Sequence, residues 1–278
     1  MEARDSIKRH YNQIPNRSIE ERRNLDTINI RLYNNFIKSV LFRNYIYSND
    51  RVLDFGIGKG GDLKKYQKAD ILLLYGLDIA NRSLLDALDR ARGFHLDFKL
   101  ILKVKDCYTK PFNLYKQFEI ISIQFSFHYS FEKEEYLDCT LGNISRHLVN
   151  GGHVLITLPQ KEEILRRKAR QCLSNKFFKI EFTDSENKSI YGNSYIYTLH
   201  GSINECIEYL VDVPELQRKA MNYELELVQN VSFDTFFDEN IVLNEELYES
   251  MKLVNLRHEE HEVTSLHHIL VFKKRGVS

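Results

Sequence analysis

A glycine-rich run near the start of the chain has the spacing of a loop that holds a nucleotide or a nucleoside. Asp54 precedes Gly56, Gly58 and Gly61, which satisfy a GxGxxG spacing between a predicted strand and a predicted helix. Glycines at such a turn let the backbone approach a ligand closely, which suits a dinucleotide and an S-adenosyl ligand equally. A carboxylate just before the loop would repel a pyrophosphate but would pair with the ammonium of a methionine group. Asp54 therefore favours S-adenosylmethionine.

Further polar residues follow the next two predicted strands, at the edge where ligands bind in open α/β sheets. Asp78 ends the second strand, where a carboxylate can accept both hydroxyls of a ribose in either cofactor class. Asp106 and Tyr108 follow the third strand and place an acceptor and an aromatic ring where an adenine would lie. These residues predict a nucleoside pocket, and a turn or cap role is the alternative for Asp106.

The aromatic segment QFSFHYSF (124–131) begins at the end of another predicted strand. Alternation along the strand predicts that Phe125 and Phe127 form an ordinary buried aromatic stripe. His128 and Tyr129 lie just beyond the strand, where we expect ligand contact. A flat aromatic side chain there can stack on a purine, which contributes about 1 to 3 kcal/mol per base.

Glu208 lies within CIEYLV, a predicted strand in which its neighbours are apolar. A carboxylate in this position is costly unless it is paired or exposed, and an exposed strand residue is one interpretation. The other interpretation is contact with a ligand, whose N–H groups the carboxylate of Glu208 could accept.

The elements that position these residues alternate between strands and helices. Apolar runs predict strands at 51–55, 72–78, 98–104, 118–124 and 153–159, and helical spacing predicts helices at 25–47, 61–67, 83–92 and 133–147. Strands that alternate with helices indicate a mostly parallel sheet covered on both faces. The predicted fold class is therefore α/β, doubly wound and Rossmann-like.

After Pro159 the pattern changes to a charged helix and three strand-like segments, FFKIEF, SYIYTL and ECIEYLV. We interpret residues 160–215 as a strand-rich insert that lies over the sheet. No linker rich in Gly, Pro or Ser and no internal repeat divides the chain, so residues 24–278 are predicted to form a single domain. Residues 1–23 are polar with little apolar periodicity, which predicts a flexible, solvated arm.

Composition limits the class of partner. The 278 residues include 39 basic and 39 acidic side chains, and this balance disfavours a broad groove that tracks long nucleic acid. A pocket for one nucleotide and a few phosphates needs only a local patch of Lys and Arg. Four scattered cysteines without a CxxC pair indicate reduced thiols and no metal site. With neither a secretory signal nor a run of roughly 18 apolar residues, the chain is expected to be soluble and intracellular.

Four motifs taken together are more specific than the glycine spacing. VLDFGIGKGGDL, YGLDIA, QFSFHYSF and GGHVLITLP, in this order, resemble eukaryotic mRNA cap guanine-N7 methyltransferases. The resemblance begins at TINIRLYNNFIKSVL, continues through CIEYLVDVP and ends near EVTSL, and only the N-terminal arm lies outside it. It implies a class I S-adenosylmethionine-dependent methyltransferase fold, with residues 160–215 as a cap-binding insert.

The resemblance also implies two sets of site residues. Its cofactor-binding positions correspond to Lys38, Asp54, Gly56, Asp78, Asp106, Tyr108, Gln124 and Ser126. Its cap-binding positions correspond to Asn34, Lys59, Arg90, His128, Tyr129, Pro159, Glu208 and His267. Lys38 would meet the carboxylate of the cofactor, and Lys59 and Arg90 would lie near the triphosphate.

This sequence departs from the family pattern in two places. Phe55 and Ile57 stand where family members often carry Leu and Cys, and both substitutions keep an apolar side chain with no expected effect on the chemistry. His267 stands where a Tyr is usual, and this change would alter packing against the guanine or its ribose.

The chemistry that the resemblance implies needs no general acid or base, because guanine N7 carries a lone pair and the sulfonium is a good leaving group. His128, Tyr129 and Glu208 are therefore expected to act by positioning, and S-adenosylhomocysteine would be the product. The implied partner is 5′-capped RNA, and the family role implies a nuclear location, contact with other capping enzymes or RNA polymerase II, and a monomer. A NAD-dependent oxidoreductase, a small-molecule methyltransferase and a non-catalytic cap-binding module remain as alternatives.

Overall fold

A central sheet organises the structure, a computed structural model that describes residues 2–183 and 189–276. Its strands are β1 (Arg51–Phe55), β2 (Leu73–Asp78), β3 (Lys99–Val104), β4 (Phe118–Gln124), β5 (Leu148–Pro159), β9 (Leu225–Ser232) and β10 (His267–Lys274). They lie in the order β3, β2, β1, β4, β5, β10, β9. The first five are parallel, whereas β10 runs antiparallel to both of its neighbours. The predicted mostly parallel sheet is therefore confirmed.

A second, antiparallel sheet is formed by the segment after β5. Its strands are β6 (Phe178–Phe182), β7 (Ser194–Leu199) and β8 (Ile203–Tyr209), in this order. Apolar side chains of these strands form a separate core cluster, to which Ile30, Val263 and Leu266 also belong. This sheet thus packs beside the central one, in the region where the sequence predicted a strand-rich insert.

Helices cover both faces of the central sheet. Those of the described residues are α1 (Glu2–Gln13), α2 (Ile19–Arg23), α3 (Ile28–Tyr45), α4 (Leu63–Lys68), α5 (Asn81–Arg92), α6 (Glu134–His147), α7 (Lys161–Ala169), α8 (Val213–Met221), α9 (Phe233–Asn240), α10 (Glu245–Ser250) and α11 (His258–Thr264). Val52 of β1 faces the cluster made by α3, α4, α5 and α9. Leu53, the next residue, faces the cluster made by α6 and α8, because successive strand residues point to opposite faces.

Helix α1 departs from the expectation of a flexible arm. Its Ile7 is 2% exposed and belongs to the same core cluster as Tyr129. Arg4, Ile7 and Tyr11 recur at the spacing of one helix face, and all three face the cavity described below. Composition did not predict this packing because the buried face carries an arginine and a tyrosine in place of a row of aliphatic residues.

The segment after β4 also differs from the predicted alternation. The strand ends at Gln124, Phe125 takes a positive φ of 56°, and a 3₁₀ helix follows from Phe127 to Glu132. Phe127 is fully buried, as predicted. The reversal at Phe125 turns its ring toward the cavity, so that the interpretation of Phe125 as an ordinary core residue is wrong.

No helix within residues 2–183 and 189–276 combines the length and the apolar character needed to cross a bilayer.

Candidate active site

A cavity of about 450 Å³ opens at the carboxyl ends of β1, β2 and β4. The strand order reverses at this point, which is where ligands bind in open α/β sheets. The predicted site residues that line it are Lys38, Gly56, Asp78, Asp106, Tyr108, Gln124, Ser126, Asn34, Arg90, His128, Tyr129, Pro159, Glu208 and His267. Asp54 and Lys59 are the two predicted residues that do not line this cavity. Both predicted sets thus meet in one place.

Asp78 connects the glycine loop to the end of β2. Its Oδ2 accepts a hydrogen bond from the Gly58 N–H at 2.8 Å, and its Oδ1 accepts one from the Ala80 N–H at 2.7 Å. Each carboxylate oxygen has further acceptor capacity, and the side chain lines the cavity. Asp78 can therefore hold the loop and accept ribose hydroxyls at the same time.

Gly56 forms part of the cavity wall together with Tyr108 and Ser126, which come from other segments of the chain. Its φ is 81°, and a Cβ on it would lie 2.7 Å from Ser126 Oγ. Tyr108 Oη donates to Ser126 Oγ at 2.7 Å, and Ser126 Oγ donates to the Phe55 carbonyl at 3.0 Å. The turn therefore needs glycine both for its backbone conformation and for the space that Ser126 occupies.

Lys38 belongs to a buried cluster with an excess of positive charge. Its Nζ lies 2.7 Å from Asp62, which Lys65 also contacts at 2.7 Å, and Lys65 donates to the Asn35 amide oxygen at 2.8 Å. Although burial opposes ionisation, Lys38 and Lys65 hold the pKa of Asp62 well below its usual range. Because two ammonium groups share one carboxylate and Lys38 faces the cavity, this end suits an anionic group such as a carboxylate.

Asp54 lies behind the glycine loop. Its side chain is buried and accepts a hydrogen bond from Tyr66 Oη at 2.8 Å. Burial raises the pKa of Asp54 to about 7. Its carboxyl is not among the groups that line the cavity, so the predicted contact with a ligand ammonium stays a prediction.

Lys59 is engaged away from the cavity. Its Nζ donates to the Ile14 carbonyl at 2.6 Å and forms an ion pair with Asp86 at 2.7 Å. The chain segment that follows α1 therefore binds the ammonium group of Lys59. The sequence did not predict that this segment would be ordered. Besides Arg4 and Lys38, the basic residues that line the cavity are Arg31, Arg90 and Lys105, which are side chains of the kind that bind phosphates.

Glu208 is buried at the opposite end of the cavity, with 7% exposure, so the interpretation as an exposed strand residue is wrong. It lies opposite Tyr195 in the β7–β8 pairing, and Tyr195 Oη donates to its Oε2 at 2.7 Å. Burial raises the pKa of Glu208 to about 7. The hydrogen bond fixes the orientation of a carboxylate that can accept N–H groups from a ligand.

His128 is a buried polar side chain on the wall of the cavity. It is 1% exposed, and neither ring nitrogen has a hydrogen-bond partner among the residues that the structure describes. Burial, with smaller effects from Arg4 and His267, lowers its pKa to about 3, so the ring is neutral near pH 7. Asn34 Oδ1 is likewise buried without a partner in the described part of the chain. Buried unpaired groups of this kind are costly, and a ligand with matching polar atoms would relieve that cost.

Aromatic rings surround these polar groups. The rings of His128 and Tyr129 lie 4.2 Å apart, and His267 packs edge-to-face on Phe125 at 5.2 Å. Lys38 Nζ lies 5.8 Å from the Phe125 ring. Phe125 therefore joins the lysine cluster to the aromatic end. Only its positive φ reveals this role, and the sequence pattern carries no signal for it.

Within residues 2–183 and 189–276, no three His, Cys, Asp or Glu side chains are grouped so that they could hold a metal ion.

The fold is shared with solved methyltransferases. An S-adenosylmethionine-dependent methyltransferase from Clostridium acetobutylicum superposes with a TM-score of 0.54 at 13% identity, covering 92% of this chain and 94% of that one. The CcbJ methyltransferase from Streptomyces caelestis gives 0.54 at 12% identity, covering 86% and 89%. The chain therefore has the class I fold of S-adenosylmethionine-dependent methyltransferases.

Sequence comparison narrows the class to one family. The model of the mRNA (guanine-N(7))-methyltransferase domain matches residues 1–275. The mRNA cap guanine-N(7) methyltransferase of Schizosaccharomyces pombe is 31% identical over 99% of this chain and 83% of that protein, and a rice relative is 32% identical with the same coverage. The Saccharomyces cerevisiae relative is 34% identical, and the match covers 84% of this chain and 59% of that protein. The chain belongs to the mRNA (guanine-N7)-methyltransferase family.

The family match also covers residues 1–23. The expectation that this segment lies outside the resemblance is therefore wrong. A segment that carries α1 and faces the cavity is part of the family domain.

Replacing Gly56 with alanine should test the wall of the cofactor end. We expect Gly56→Ala to lower the free energy of unfolding by about 1 to 2 kcal/mol, because alanine disfavours the left-handed backbone, and to weaken S-adenosylhomocysteine binding as Ser126 is displaced. Thermal unfolding and calorimetry measure the two effects. Gly142→Ala in α6, where the new Cβ would meet its nearest atom at an ordinary 3.5 Å, is the matched control. Unchanged stability and affinity in Gly56→Ala would show that the loop does not need glycine.

Proposed function

We propose that this chain transfers a methyl group from S-adenosylmethionine to N7 of the terminal guanine in the 5′ cap of mRNA. One observation carries the proposal. A single cavity is lined by Asp78, an acceptor for a nucleoside, by Lys38, a cation for a carboxylate, and also by the buried carboxylate of Glu208 and the neutral imidazole of His128. Bound there, S-adenosylmethionine would supply a methyl group on a positively charged sulfur.

The donor end of the cavity would hold its ligand through residues from several segments of the chain. Asp78 would accept the ribose hydroxyls, and Lys38 would meet the carboxylate of the methionine part. Asp106, Tyr108, Gln124 and Ser126 would surround the adenine side. Asp54 would act through its charge from behind the loop. The ion pairs of Asp62 support this orientation. Two lysines, Lys38 and Lys65, share this one carboxylate, and a cofactor carboxylate beside Lys38 would balance the second positive charge.

The acceptor end would select guanine by its hydrogen-bonding edge. Glu208 would accept both the N1–H and the exocyclic amine, a pattern that adenine lacks. His128 and Asn34 would satisfy their unpaired polar atoms on the same ligand. Tyr129, Pro159 and His267 would pack against the base and its ribose. The residues 160–215 that carry Glu208 would therefore act as the cap-binding insert of one domain.

The phosphates would lie at the basic part of the cavity. Arg90 lines this part, and Arg31 and Lys105 line the same cavity. Lys59 would reach the triphosphate only after leaving its contacts with Asp86 and the Ile14 carbonyl. Charge-assisted contacts from arginine suit phosphate oxygens, so Arg90 is the principal residue of this part of the proposal.

Catalysis would depend on position and charge, with no proton transfer by the protein. The neutral His128 adds no positive charge beside a guanine that becomes cationic, and an ionised Glu208 would offset that charge. Holding the two reactants in line can supply about 7 to 11 kcal/mol of the barrier. His128, Tyr129 and Glu208 are therefore positioning residues.

The cellular part of the proposal rests on the family role. A nuclear location fits an enzyme that acts on new transcripts, and other capping enzymes or RNA polymerase II would be its protein partners. A monomer is proposed on the same ground.

The proposed reaction can be tested with RNA that carries an unmethylated 5′ cap. With labelled S-adenosylmethionine, we expect the label at N7 of the terminal guanine, identified after digestion of the RNA. RNA with an uncapped 5′-triphosphate is the control and should stay unlabelled. Methylation of a small acceptor but not of the cap, cap binding without cofactor binding, or selective thermal stabilisation by NAD would each contradict the proposal and favour a different function.

Cap recognition should depend on pH through Glu208. Its pKa of about 7 means that its carboxylate fraction grows as pH rises through neutrality, and only the carboxylate accepts two N–H groups. We expect the KM for capped RNA to fall from about pH 6 to about pH 8 and then to level off. Glu208→Gln should raise this KM by about 10- to 100-fold and flatten its pH dependence.

A parallel measurement separates this effect from that of Asp54, whose pKa is also about 7. The affinity for S-adenosylhomocysteine should be the same in Glu208→Gln and in the wild type at each pH. A KM for capped RNA that is independent of pH in the wild type, or a variant that loses cofactor affinity, would contradict the role of Glu208.

A further inference from the structure

Helix α1 spans the two ends of the cavity. Beyond its C-terminal end, the Ile14 carbonyl accepts a hydrogen bond from Lys59 of the glycine loop at 2.6 Å. Asn12 accepts one from the Arg82 N–H at 3.0 Å, at the start of α5. Arg17 donates to the Gly201 carbonyl in the turn between β7 and β8. The N-terminal segment is thus tied to both the donor end and the acceptor end.

The same helix holds the 3₁₀ helix that carries His128 and Tyr129. Arg4 Nη2 donates to the Tyr129 carbonyl at 2.7 Å, and its Nε lies 3.4 Å from Glu132. The Arg4 guanidinium also lies 5.6 Å from the centre of the Tyr129 ring. These contacts fix the backbone of Tyr129 and one side of its ring.

Tyr11 fixes the other end of the Tyr129 side chain. The two hydroxyls lie 3.0 Å apart, and Tyr129 Oη lies 3.3 Å from Cys206 Sγ on β8. Cys206 is two residues before Glu208 on the same strand, so both side chains lie on one face of the small sheet. The Tyr11 hydroxyl therefore completes a buried polar link from α1 through Tyr129 to the strand that carries Glu208.

We propose that Tyr11 is a positioning residue for the acceptor base, acting by holding the Tyr129 side chain against the guanine end of the cavity. The proposal rests on the proposed function above and adds to it a residue from outside the predicted site. Tyr11 lines the cavity itself, and its ring is part of the wall. Losing its hydroxyl leaves the wall in place but removes one of the two polar contacts that hold the Tyr129 hydroxyl.

Tyr11→Phe tests this role because it removes only the hydroxyl. We expect the KM for capped RNA to rise by about 3- to 10-fold, as for the loss of one hydrogen bond. The melting temperature should fall only slightly, as for the loss of one hydrogen bond, and the affinity for S-adenosylhomocysteine should match that of the wild type. A purely structural role would instead weaken cofactor binding and cap binding together. Tyr115→Phe, at a tyrosine that is 89% exposed, is the matched control.

A double-mutant cycle shows whether the effect passes through Tyr129. The variant Tyr11→Phe/Tyr129→Phe should have the same KM as Tyr129→Phe alone, because neither retains the hydroxyl pair. Effects that multiply, a Tyr11→Phe variant that behaves as the wild type, or one that loses cofactor affinity to the same extent would overturn the inference while leaving the proposed function intact. A wild-type protein that methylates no capped RNA would instead overturn both.

Discussion

The site depends on the crevice between the carboxyl ends of β1 and β4. This crevice exists because the chain continues from these two strands toward opposite edges of the sheet. From β1 the chain continues to β2 and β3, and from β4 it continues to β5, so no connection covers the space between them. The glycine turn after β1 and the reversal at Phe125 after β4 both direct backbone around this space. Every other part of the site is arranged at its border.

The border carries buried polar groups. His128 and Asn34 hold buried atoms without partners among the described residues, and Glu208 is a buried carboxyl with one hydrogen bond, from Tyr195, and a pKa of about 7. An unsatisfied buried group costs about 1 to 3 kcal/mol of folding free energy. Such groups persist where a ligand completes them, so stability in the free protein is lower than an apolar cavity would give. The same groups supply selectivity, because a ligand without the matching donors leaves them unpaired.

The sequence predicted the central fold because strand and helix periods are distinct and the strands are almost continuously apolar. β1 and β4 fall on the predicted residues, and strand ends placed Asp78 and His128 at the correct edge. Glu208 was predicted through the family motif, since its burial depends on pairing with Tyr195 across the small sheet.

What the sequence could not predict depends on contacts between distant segments. Arg4 and Tyr11 lie in a polar stretch, and their burial follows from partners more than 100 residues away. Lysine is a residue type that often contacts phosphate, but the ammonium group of Lys59 instead donates to the carbonyl of Ile14. Phe125 faces the cavity only because its backbone takes a positive φ, which no pattern of residue types indicates.

The most direct measurement is a crystal structure of the protein with S-adenosylhomocysteine and a cap analogue bound together. The account predicts both ligands in the one cavity, with the ribose on Asp78 and the guanine edge on Glu208. It also predicts that guanine N7 faces the sulfur with room for a methyl group about 3 to 3.5 Å from the nitrogen. Ligands in separate places, or a guanine whose N7 points away from the sulfur, would contradict it.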